Sequence, residues 1–155
     1  MTPLFKKLNF KDHKTIIALN YPSTFDKEIL AMKDDASFIN HLKEIKEIEF
    51  GIFFVSSQKE IDFYLNKIIS KLKGDAILWF CYPKASSKKY KCEFNRDNGW
   101  SSFGALNLEP VRQVAIDEDW SALRFRKVEF IKTITRRESF ALTTEAKQRT
   151  TQKGK

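Results

Sequence analysis

Three strand-sized runs of almost unbroken apolar residues constrain this chain more than anything else in it. They are Thr15 to Asn20, Ile48 to Val55 and Ala76 to Tyr82. A strand with one wet face alternates apolar and polar side chains, whereas a run that is apolar at successive positions belongs to a strand covered on both faces. Such strands sit in parallel sheets, whose crossover connections lay helices over the sheet. The matching helix pattern lies between the second and third runs. Ser57 stands three residues before Glu60, a capping box, and Ile61, Tyr64, Leu65, Ile68, Ile69 and Leu72 recur on one helical side. Gly74 is expected to close that helix as a left-handed cap. After the first run, Ser23 and Asp26 form a second helix-start signal ahead of Phe25, Ile29, Leu30 and Met32.

The remaining segments complete the alternation. Ala36 to Leu42 is expected as a short strand, and Asn95 to Leu106 as a helix carrying Trp100, Phe103 and Leu106 on one side. A strand starts at Pro110, Asp117-Glu118-Asp119 forms a turn, and Trp120 to Ile131 returns as the last strand. So short a turn implies an antiparallel hairpin, placed here at the sheet edge. The expected fold is a three-layer α/β sandwich with a mainly parallel, Rossmann-like sheet and a C-terminal antiparallel hairpin. The whole chain is 42% hydrophobic with 14 Phe, all but Phe140 within residues 1–131, so that stretch can bury enough area to fold as one domain.

The net charge of +8 invites a nucleic-acid reading, but its distribution weakens it. Residues 132–155 carry seven basic side chains against two acids, so this segment alone holds +5. It reads as a basic, mobile tail with too few aromatics to stack bases, and nucleic acid is a possible but not a favoured partner. Cys81 and Cys92 do not make a disulfide framework, and no apolar run reaches the ~20 residues of a membrane span. A cytoplasmic protein with reduced thiols and no membrane partner is expected.

Several chemistries lack their signatures. The turn after the first strand, Asn20-Tyr21-Pro22-Ser23, contains no glycine, so NAD(P), FAD and S-adenosylmethionine are disfavoured and no cofactor is expected. His13 and His41 are too few for a histidine-rich metal site, and no metal is expected. In open α/β sheets ligands bind outside the carboxyl ends of the strands. There the sequence places Ser23, Ser57, Lys84, Ser86 and Ser87, which suit an anionic small molecule or protein segment; helix capping accounts for most of the serines equally well. Asp117, Trp120, Ser121 and Arg124 form a second dense segment, either a solvated turn or a source of acid/base groups. Cys92 lies among Lys89, Lys91 and Tyr90, a cationic neighbourhood that favours the thiolate. The reading that follows is a non-catalytic binding or regulatory module for an anion at the strand rim. The alternatives are nucleic-acid association through the basic tail and an enzyme using Asp117, Lys84 and Ser121.

Leu78-Trp79-Phe80-Cys81-Tyr82-Pro83-Lys84-Ala85-Ser86-Ser87 and Ala115-Ile116-Asp117-Glu118-Asp119-Trp120-Ser121-Ala122-Leu123-Arg124-Phe125 also carry a resemblance. They resemble a bacterial family of small proteins known only as a domain of unknown function, with a Trp-Pro-Lys-Lys-x-Ser segment and an Ile-Asp-x-x-Trp-Ser-Gly-Leu-Lys-Phe segment. This chain departs from that pattern at Tyr82, Ala85, Ala122 and Arg124. The resemblance implies a bacterial cytoplasmic α/β protein and brings no activity with it. It draws attention to Lys84, Ser86, Ser87, Asp117, Trp120, Ser121 and Arg124.

Overall fold

The two-sided strands stand side by side at the centre of one sheet. A computed structural model describes residues 1–94 and 99–131. In chain order its elements are α1 (Pro3–Lys7), β1 (Thr15–Leu19), α2 (Asp26–Ala31), β2 (Ser37–Ile39), β3 (Ile48–Phe54), α3 (Gln58–Ile68), β4 (Leu72–Pro83), α4 (Ser101–Ala105), β5 (Leu108–Ala115) and β6 (Trp120–Lys127). The sheet order is β2-β1-β3-β4-β6-β5. β2, β1, β3 and β4 are parallel, and β6 runs antiparallel to both of its neighbours. This is the expected three-layer α/β sandwich with a mostly parallel, Rossmann-like sheet. The expected basic tail, 132–155, and the first four positions of the helix expected from Asn95 lie outside the described residues.

Alternation along each strand divides the apolar side chains between two cores. Leu78, Phe80 and Tyr82 of β4 join Ile61, Leu65 and Ile68 of α3 and Phe103 of α4 on one face. Ile77, Trp79 and Cys81 join Leu4 and Phe5 of α1 on the other, where Ile29 of α2 also packs. The first core is closed by Phe103 stacked on Phe125, with ring centroids 3.7 Å apart. In the second, the buried Trp79 indole donates to the Leu8 carbonyl at 2.9 Å and so ties the N-terminal helix to β4.

Three local features differ from or add to the sequence reading. Gly74 does not cap α3, which has already ended at Ile68 and passed through a 3-10 turn. It lies inside β4 at φ +52, where the register against β3 jumps from Ile48–Leu72 to Phe50–Ile77. The extra residues are absorbed as a bulge, a task that suits glycine's left-handed conformation. The hairpin forms one edge of the sheet as expected, but its second strand is not the outermost one: β6 inserts between β4 and β5, leaving β5 as the edge. Its apolar residues Ala122, Leu123 and Phe125 are buried because both neighbours cover them. The N-terminal helix α1 was not expected, although Thr2 caps it by accepting from the Phe5 N–H and Pro3 begins it.

Candidate functional site

The chain leaves β1 for β2 on one side and returns past β1 to β3 on the other. The carboxyl ends of β1 and β3 therefore flank the topological switch point, the place where open α/β sheets bind ligands. Asn20 follows β1 directly and takes φ +62, a left-handed conformation that asparagine tolerates better than other side-chain-bearing residues. Its amide Nδ2 donates to the Phe54 carbonyl and to Glu60 Oε2, both at 2.8 Å. Glu60 Oε1 accepts from the Ser56 N–H at 2.9 Å and the Ser56 hydroxyl at 3.0 Å. The capping box forms, with Ser57 Oγ accepting from the Glu60 N–H at 3.2 Å, but the carboxylate reaches back one residue beyond the cap. A second carboxylate closes the same helix start. Glu93 accepts from the Gln58 N–H at 3.0 Å, and its own N–H donates to the Ser56 carbonyl at 3.0 Å. The loop after β4 is thus folded back onto the start of α3.

The other half of the rim is built by the loop after β4 and the β5–β6 turn. Asp117 Oδ1 accepts from the Asp119 and Trp120 N–H groups, both at 2.8 Å, and so shapes the turn. Ser87 Oγ donates to Asp119 Oδ1 at 2.8 Å, and the Lys84 N–H donates to the Asp119 carbonyl at 2.8 Å. Trp120 packs between Phe54 and Tyr90, with centroids 5.1 and 5.0 Å away. Phe54 continues to Phe25 at 5.1 Å, and Phe25 to Tyr21 at 5.9 Å, so an aromatic belt links the two halves. The Trp120 Nε1–H is buried and has no acceptor among the described residues.

Of the expected site residues, Ser57, Lys84, Ser87, Asp117 and Trp120 come to this rim. Ser23 is exposed in the 3-10 turn after β1 and caps nothing with its side chain, and Ser86 is exposed. Ser121 is buried and pairs across the strands with Tyr82, on the sheet face opposite Trp120. The enzyme site expected from Asp117, Lys84 and Ser121 is therefore not assembled. Arg124 lies four residues after Trp120 along β6, beside Trp79 and away from the strand tips. Cys92 is corrected as well: burial and the carboxylates of Glu93 and Glu60 push its pKa up, despite a lowering contribution from a backbone hydrogen bond at Phe94. Cys81 is fully buried and its thiol is raised well above the usual range, by burial first and Asp117 second. Asn20, Glu60 and Glu93 escaped the sequence reading as site residues. Only Glu60 left a signal, and that signal pointed to capping.

The rim is thus lined by carboxylates that already take the N–H groups at the start of α3. An anion there would displace Glu60 and Glu93 and meet their charge. A separate, open concavity of about 540 Å3 lies at the opposite end of β1 and β3, lined in part by Asp12, His13, Glu47 and Glu49. Its two glutamates are bridged by Lys73 at 3.3 and 3.5 Å. Among the described residues no group of three His, Cys, Asp or Glu could hold a metal ion, and no helix is long and apolar enough to cross a membrane.

No family model and no curated protein matches this sequence. Among solved structures, the chain is similar to a SAM dependent methyltransferase from Aquifex aeolicus. The TM-score is 0.52 at 11% identity, over 80% of this chain and 87% of that one. It is also similar to a Sulfolobus solfataricus protein classed as a type 11 methyltransferase, at TM-score 0.50 and 10% identity over 81% and 89% of the two chains. At these identities the likeness establishes the fold: this chain has the architecture of those methyltransferases. The expectation of a non-catalytic module that captures an anion at the strand rim is overturned. The chain shares its architecture with enzymes, and at the rim the Ser87 hydroxyl is taken by Asp119 while Glu60 and Glu93 hold the N–H groups at the start of α3.

Proposed function

We propose that this protein is a methyl-group transferase of the S-adenosylmethionine-dependent kind, with its cofactor seat at the β1–β3 switch point. The observation that carries the reading is the Glu60 carboxylate at that crevice. The glycine requirement invoked against cofactors arises from the close approach of a pyrophosphate to the backbone. S-adenosylmethionine has no phosphate; it carries a sulfonium, an ammonium, one carboxylate and an adenosine, and is a net cation. Glu60 repels a pyrophosphate and attracts a cation, so the residues present suit the sulfonium compound and disfavour NAD(P) and FAD. Asn20 holds Glu60 Oε2 with one hydrogen bond, which leaves that oxygen capacity for a cationic group. The Tyr21 ring at the same turn offers a face to a cation or a base.

When bound, the cofactor supplies an electrophilic methyl group. The chain's own contribution is to orient and to exclude water. Asn20 and Ser56 fix the Glu60 carboxylate, and the Tyr21–Phe25–Phe54–Trp120–Tyr90 belt provides an apolar floor under the rim. The proposal includes a cytoplasmic location and membership of the small bacterial family that residues 76–126 resemble.

Titration calorimetry with S-adenosylmethionine, and with NAD as the contrasting cofactor, tests the reading. Saturable binding of the sulfonium compound is expected, weakened about tenfold or more by Glu60→Gln, which keeps an acceptor but loses the charge. NAD should not bind. Absence of saturable binding up to millimolar S-adenosylmethionine, or equal affinity for NAD, would refute it.

A further inference from the structure

Away from the rim, one feature of the sheet is costly and unexplained by the proposed transferase activity. Arg112 of β5 and Arg124 of β6 are direct cross-strand partners. Partners in an antiparallel pair point to the same face, with Cβ atoms about 5 Å apart, and like charges placed so are destabilising. Arg124 is flanked on its other side by Trp79 of β4, so the pair lies on the face that carries α1 and α2. The next side chain on this face of β6, Arg126, has its own counter-ion: Nε and Nη2 fork onto Asp75 at 2.8 and 2.6 Å. Asp75 is therefore already engaged. Arg124 is half-buried, and its Nε–H is buried without an acceptor among the described residues. No ion pair to Arg112 or Arg124 occurs among the described residues.

We propose that Arg112 and Arg124 form a binding site for the phosphate group of a small phosphorylated ligand. Two guanidiniums on neighbouring strands present several N–H donors to one tetrahedral oxyanion, an arrangement for which arginine's planar fork is suited. The phosphate would accept from the guanidinium ends of the two side chains and turn the repulsion between them into shared attraction. Desolvation of Arg124 and the proximity of Arg126 and Arg112 lower its pKa, with Asp75 opposing them. The site stands several residues from the switch point and does not depend on the cofactor proposed there.

Pyrophosphate and inorganic phosphate are the probes, compared with chloride at matched ionic strength in thermal unfolding and calorimetry. Wild type should be stabilised by either phosphate beyond the chloride control, as binding to the native state requires. Arg112→Gln and Arg124→Gln should each weaken pyrophosphate binding by about tenfold or more. Arg112→Gln, at an exposed position, should also raise the melting temperature in phosphate-free buffer, because it removes the repulsion. Lys73→Gln, at the amino end of β4 where the lysine is already paired with Glu47 and Glu49, should bind as wild type does. Phosphates that act no differently from chloride would overturn the site, and so would unchanged pyrophosphate affinity in Arg112→Gln.

Discussion

Replacing Glu60 with alanine removes the group that organises the switch point, and its cost can be worked from the contacts. The carboxylate loses hydrogen bonds from the Ser56 N–H at 2.9 Å, the Ser56 hydroxyl at 3.0 Å and the Asn20 amide at 2.8 Å. Buried charge-assisted bonds are worth about 1.5–3 kcal/mol each. Glu60 is half-exposed, so water replaces part of each, and about 0.5–1 kcal/mol apiece is the appropriate scale. Loss of a negative charge in the first turn of α3 adds about 0.3–1 kcal/mol. The expected total is about 2–4 kcal/mol, and at about 2–4 °C per kcal/mol for a chain of this size the melting temperature should fall by about 4–16 °C. Urea unfolding followed by circular dichroism measures it directly. A double-mutant cycle with Asn20→Ala isolates the Asn20–Glu60 bond, for which a coupling of about 0.5–1 kcal/mol is expected. A Glu60→Ala cost below about 0.5 kcal/mol, or strict additivity in the cycle, would mean that the carboxylate does not hold the crevice together.

The two rim-to-core tryptophans should respond differently to phenylalanine. Trp79→Phe orphans the Leu8 carbonyl and leaves a cavity, together about 3 kcal/mol, whereas Trp120→Phe breaks no hydrogen bond among the described residues and should cost about 1–2 kcal/mol in the same urea assay. The reverse order would refute the assignment of their indole N–H groups. Cys81 has its pKa raised in the fold above the usual 9.0, so the folded state keeps a proton that the unfolded chain releases. Its contribution is complete below pH about 9 and is lost as pH rises further, at up to about 1.36 kcal/mol per pH unit. Cys81→Ala should flatten that alkaline slope, and a slope unchanged in the variant would sink the argument. At pH 8.5, iodoacetamide should label Cys92 more slowly than free cysteine and should not label Cys81 until the chain unfolds. Labelling of Cys92 faster than the free amino acid would contradict the direction of its shift.

The layered architecture was legible because hydrophobic periodicity is a local property. Ile52 to Val55 and Ala76 to Tyr82 read as two-sided strands, and the Ile61–Leu65–Ile68 stripe as the helix between them, before any contact was known. Chain ends and bulges were not legible in the same way. Gly74 carries the same left-handed signal whether it ends a helix or kinks a strand, and only the pairing of Leu72 with Ile48 shows which. Nor could the pattern say that β6 would insert between β4 and β5, since a hairpin fixes one neighbour and not the other.

The character of the rim depended on distance along the chain. Asn20 meets Glu60 across 40 positions, Gln58 meets Glu93 across 35, and Ser87 meets Asp119 across 32. Serines and a lysine at strand ends suggested a place for an anion, because those short stretches contain no acid. Parallel crossovers carry the strand tips to one side of the sheet, and the carboxylates arrive from helix, loop and turn. Composition and spacing thus determine that strands and helices alternate and which faces they bury. The sign of the charge at their shared edge emerges from side chains that become neighbours after the sheet has assembled.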